Sequence, residues 1–138
     1  MNRCLTRALL RAGISVTDHR LPHDVSATVQ ARAIARERLA ERLSDTARDD
    51  FVLMVSELVA NAVRHAPPDE DGNITLKIDV TDDAARAVVI DAGTEFEFER
   101  ATFDGRSQHF GLQLVDRMAS RWGLSLDGQK AVWFEVDR

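Results

Sequence analysis

Apolar residues recur at close to helical spacing over 26–43, at Ala27, Ala31, Ile34, Ala35, Leu39 and Leu43. This spacing predicts an amphipathic helix, with Asp24 or Ser26 able to cap its start. A wider stripe follows at Phe51, Met54, Val55, Leu58, Val59, Ala62 and Val63, and predicts a helix over 46–66 covered by neighbours on more than one side. Pro67 and Pro68 end it. The period then changes. Ile74, Leu76, Ile78 and Val80 alternate with Thr75, Lys77 and Asp79, the signature of a strand with one buried face. After the acidic turn at Asp82 and Asp83, the run Ala87, Val88, Val89, Ile90 suits an interior strand, and the two strands should pair.

Residues 92–109 carry no clean period, and so long a loop inside a compact domain is usually functional or mobile. Phe110, Leu112, Leu114, Val115 and Met118 predict a third helix ending near Arg121. Segments 122–126 and 130–136 read as strands joined at Asp127 and Gly128, a hairpin signal. The expected fold class is α+β, a two-layer α/β sandwich with a mostly antiparallel mixed sheet and helices on one face.

Composition narrows the functions open to such a fold. With 138 residues the chain has room for one domain, and no Pro/Gly/Ser-rich linker divides it. The 18 Lys and Arg against 23 Asp and Glu leave a charge of −5, which disfavours a protein that grips nucleic acid through phosphates. No apolar run approaches the length of a membrane span, so no membrane partner is expected. A single Cys4 offers no disulfide and no zinc site, which suits a reducing cytoplasm. Residues 1–18 read as an N-terminal extension, with Arg3, Arg7 and Arg11 on one face of a short amphipathic helix or a frayed segment; the domain occupies 19–138.

Three places could carry chemistry. Glu57, Asn61 and His65 stand at four-residue steps on the second helix and form one slowly winding polar stripe. Burying a carboxylate or amide without a partner costs about 1–3 kcal/mol, so the stripe faces either a cleft or simply solvent. Asp91 closes the interior strand and is followed by Ala92 and Gly93. A strand-end Asp points into the crevice where layered α/β proteins bind ligands, although the same tripeptide also makes an ordinary turn. Gly111 stands at the start of the third helix, whose free N–H groups attract anions, but a glycine is also tolerated in a first turn.

Taken in order, Glu57-x-x-x-Asn61-x-x-x-His65, Asp91-x-Gly93, Gly111-Leu112-x-Leu114-Val115 and Lys130-x-Val132-Trp133-Phe134-Glu135 resemble the GHKL ATPases, the superfamily of gyrase, histidine kinases and mismatch-repair ATPases. Within it the chain is similar to the small stand-alone branch of bacterial anti-sigma factor serine kinases and their actinobacterial relatives. The likeness runs from about Leu21 to Val136 and includes Ser56-Glu57-Leu58-Val59-x-Asn61-Ala62-x-x-His65. It implies the Bergerat-type ATP-binding fold, with ATP and Mg2+ as cofactors. By this resemblance Asn61 is the Mg2+ ligand and Glu57 the general base. Asp91 accepts from the adenine amino group, Gly93 passes beneath the base, and Gly111 with Leu112 cradles phosphate. His65 would approach phosphate or close the helix end.

The resemblance further implies a cytoplasmic protein that holds a sigma factor or similar client. It would transfer the γ-phosphate of ATP to a Ser or Thr of an antagonist protein, and relatives are often homodimers. The chain also departs from the pattern. Only Gly111 is in register in the phosphate loop, and Gln129-Lys130-Ala131 replaces Gly-Lys-Thr, removing a hydroxyl from the base region. Glu95, Glu97, Glu99 and Asp104 make residues 94–109, read as a lid, acidic, with Arg100 and Arg106 as counterweights. The alternative expectation is therefore a non-catalytic sequestering module of the same fold, with weak or no nucleotide binding.

Overall fold

A computed structural model describes residues 17–93, 110–126 and 128–138. The elements run β1 (Thr17–Pro22), α1 (Ser26–Leu39), α2 (Asp45–His65), β2 (Asn73–Val80), β3 (Ala84–Asp91), α3 (Phe110–Met118), β4 (Arg121–Ser125) and β5 (Lys130–Asp137). The strands form one sheet in the order β1-β2-β3-β5-β4. Every pairing among them is antiparallel, the limiting case of the mostly antiparallel sheet expected.

Alternation decides which side of the sheet becomes core. Leu21, Ile74, Leu76, Ile78, Ala85, Ala87, Val89, Phe134 and Val136 all join the buried cluster with Ala27, Ala31 and Ala35 of α1 and the apolar stripe of α2. The alanines of α1 let it lie close to α2, and the two helices pack together. Phe51 of α2 meets Phe134 of β5 edge-on, with ring centroids 4.8 Å apart and both side chains fully buried. That contact fixes the height and rotation of α2 over the sheet.

The ends of α2 follow local chemistry. Ser44 is extended, and its hydroxyl accepts the Ala47 N–H at 3.2 Å, satisfying a donor that the first turn leaves free. Ser44→Ala is expected to cost about 1 kcal/mol, read as a lower denaturation midpoint with an unchanged slope. At the other end Ala66 leaves the helical region at φ −117° and ψ 149°, as a residue before proline should.

Three readings differ from the sequence expectation, the smallest being that α3 ends at Met118 while Arg121, where its end was expected, opens β4. α1 stops at Leu39, not near residue 43, because the chain turns through an Arg42 N–H to Leu39 carbonyl bond; Leu43 reaches the core from that turn. β1 was not expected at all. Its six residues include one large core side chain, Leu21, and it exists by pairing with β2 from Thr17↔Ile78 to Pro22↔Asn73. Residues 17 and 18, assigned to the N-terminal extension, thus belong to the sheet.

Candidate functional site

α2 touches α3, β3, β2 and β5, so the polar stripe, the end of β3 and the start of α3 are brought to adjoining elements. On the stripe, Glu57 and Asn61 are half-buried and His65 is exposed. Buried Leu58 and Ala62 follow each of the first two in sequence, which puts Glu57 and Asn61 at the margin of the apolar face. Such a margin lets a polar group meet a ligand without bearing the full cost of desolvation.

Asn61 is already engaged. Its Oδ1 accepts a hydrogen bond from Arg64 Nη2 at 2.6 Å. Arg64 escaped the sequence reading, although its i+3 spacing from Asn61 on a helix was the available signal. Just past the end of α2 the Ala66 carbonyl meets His23, whose Nε2 donates to it at 2.6 Å. This bond ties the turn after β1 to the end of α2.

Asp91 lies at the end of β3 and is buried on the helix-facing side of the sheet. Its Oδ1 accepts the Gly93 N–H at 2.7 Å, so the tripeptide does make a side-chain-closed turn. Its Oδ2 lies 3.5 Å from Lys130 Nζ, and the two side chains are only 5% and 8% exposed. The pair arises because Asp91 and Lys130 are directly opposed in the β3–β5 ladder. A Cβ at Gly93 would come within 2.9 Å of Asp91 Oδ1 and 3.2 Å of Lys130 Nζ, so a larger residue there would require both side chains to shift.

The β pleat also places Ala131 on the face opposite Lys130, so its missing hydroxyl is not lost from the Asp91 side of the sheet. Leu112 is buried in the core from the first turn of α3, and Gly111 stands in that same turn. The lid expected over 94–109, with its acidic side chains, lies outside the described residues.

A buried carboxylate at a strand end, a glycine beside it and a half-buried amide on the facing helix thus stand on adjoining elements. Among the described residues no three His, Cys, Asp or Glu side chains converge as a metal site. Among the same residues no helix is long and apolar enough to cross a membrane.

The family model described as "Histidine kinase-like ATPase domain" matches residues 21–134. A solved structure of the RsbU and RsbW domains of Rv1364c from Mycobacterium tuberculosis shares the fold, with a TM-score of 0.69 at 24% identity. The match covers 90% of this chain and 33% of that one, so the chain spans about a third of the length of the protein it resembles. No curated protein matches.

Proposed function

The chain belongs to the histidine kinase-like ATPase domain family, and from that premise we propose an ATP- and Mg2+-binding regulatory protein of the anti-sigma serine-kinase type. It would bind a sigma-like client and phosphorylate Ser or Thr of an antagonist protein. The observation that carries this reading is the pairing of half-buried Glu57 and Asn61 on α2 with buried Asp91 and bare Gly93 at the end of β3.

In this reading Asp91 and Gly93 would hold and orient the base, and Asn61 Oδ1, which accepts from Arg64, would hold Mg2+, which would offset the charge of the phosphates. Bound ATP supplies the phosphoryl group. Glu57 takes the proton of the acceptor hydroxyl as its oxygen bonds to the γ-phosphorus, while the bond to the bridging oxygen breaks and ADP leaves.

A second reading, a sequestering module without turnover, has its own support. Asn61 and Asp91 each have an internal partner already, in Arg64 and in Lys130 with Gly93. Thermal unfolding with and without nucleotide separates the two. A ligand at a hundred times its dissociation constant adds about 2.7 kcal/mol to the native state, so MgATP is expected to raise the melting temperature of the wild type. Asn61→Ala should lose the Mg2+-dependent part of that shift. No shift at millimolar nucleotide would sink the ATP reading and leave the sequestering one.

A further inference from the structure

The described helices all pack on one face of the sheet, since Leu112 and Val115 of α3 join the same core as α1 and α2. The centre of the opposite face is nonetheless dry. That face carries Asp18, Lys77, Val88, Trp133 and Gly123 in one row across the five strands, and Asp79, Arg86, Glu135 and Arg121 in the next. On it Val88 and Ile90 are each only 6% exposed and Asp79 only 2%, although none of the three belongs to the core cluster. Asp79 Oδ1 and Arg86 Nε are shut from water with no hydrogen-bond partner. The neighbours of Val88 in its row lean away from it. Lys77 reaches towards Asp18 on β1, with Nζ 3.7 Å from Oδ1, and the Trp133 ring lies over Gly123 on β4, where a Cβ would meet it at 2.7 Å. Arg86 in turn stacks on that ring, 4.4 Å from its centroid.

We infer that residues 1–16 cover this face, docking across it as an amphipathic helix. These residues lie outside the described ones, and three features of the chain fit them to the place. Leu5, Ala8, Leu9 and Ala12 share one side of a helix and Arg3, Arg7 and Arg11 the other, so an apolar side can meet Val88 and Ile90 while the basic side stays in water. Gly13 then offers a helix stop, and three residues lead to Thr17, which pairs with Ile78, so the chain enters the sheet beside Asp79. A helix over 2–12 is about 16 Å long, close to the roughly 14 Å that separates β1 from β5 across three strand spacings. So short a helix is marginal alone in water, and an apolar surface is what would hold it. The inference concerns the face away from Glu57, Asn61 and Asp91, and stands or falls independently of the nucleotide reading.

Cys4, the only cysteine of the chain, lies at the margin between the two sides of this helix and takes a nitroxide label without a further substitution. In the labelled full chain the amide signals of Val88 and Ile90 are expected to broaden, and those of Val25 and Val29 on α1 to stay sharp. Mixing isotope-labelled, unmodified protein with nitroxide-bearing protein should broaden neither set. Leu5→Asp with Leu9→Asp is expected to lower the melting temperature by roughly 10 °C, since two buried leucines are lost, whereas Arg7→Glu on the wet side should leave it unchanged. Sharp Val88 and Ile90 signals in the labelled chain overturn the inference. So does broadening in the mixed sample, which would make a second copy the cover, and so does a double variant that melts like the wild type. If the double variant does not fold, the nitroxide measurement decides.

Discussion

Glu57→Gln is expected to slow phosphoryl transfer to the antagonist protein by roughly 10²–10⁴-fold, the usual weight of a general base, while leaving nucleotide binding in place. The substitution keeps the shape of the side chain and removes only its ability to take a proton. Glu57 stands one helical turn before Asn61, so a metal held at Asn61 brings the reacting phosphate to the same flank of α2. The half-buried setting of Glu57 means that glutamine can be accommodated without unfolding the helix. Labelled ATP and a candidate antagonist supply the assay, with calorimetry in parallel to confirm that ATP still binds. Transfer at the wild-type rate would show that Glu57 is not the base. A wild type that binds its client but transfers nothing would favour sequestration.

The largest effect on stability is expected from Phe51→Ala, at about 3–5 kcal/mol. Phe51 is fully buried and packs edge-on against Phe134, so the change removes apolar contact, an aromatic pair and the filler of the space between α2 and β5. Neither neighbour can close the gap cheaply, since Met54 and Val55 are already fully buried. A loss of that size should lower the melting temperature by roughly 10 °C or more. Because the same contact sets how α2 sits over the sheet, any nucleotide-induced stabilisation should shrink too, by misplacement of Glu57 and Asn61 and not by loss of a ligand contact. A loss below about 1 kcal/mol would mean that the α2–β5 packing relaxes far more readily than its geometry suggests.

Strong periodicity was enough to read α2, β2, β3, α3 and the terminal hairpin from the sequence. Each carries its burial pattern within a single segment: the stripe of α2, the alternation of β2 from Ile74 to Ile78, and the apolar run of β3. The motif residues were equally legible as residue types at fixed spacing. The elements that failed were those whose reason lies elsewhere in the chain. β1 has almost no pattern of its own, and its hydrogen-bond partners come from β2, more than fifty residues later. The early stop of α1 reflects a turn that still delivers Leu43 to the core, so periodicity alone ran four residues too far.

The helices, the central strands and the layered α+β class were thus all signalled within single segments. These follow from local period, from the chemistry of side chains and from motif spacing. What the side chains touch depends instead on how distant segments come together. Asp91 and Lys130 are 39 positions apart and became a buried ion pair through strand register. Ala131 and Lys130 are neighbours in the chain, yet the pleat sends them to opposite faces. His23, from the turn after β1, reaches the Ala66 carbonyl at the end of α2, 43 positions away. Contacts of this kind depend on register and packing between distant segments, which single-segment periodicity does not encode.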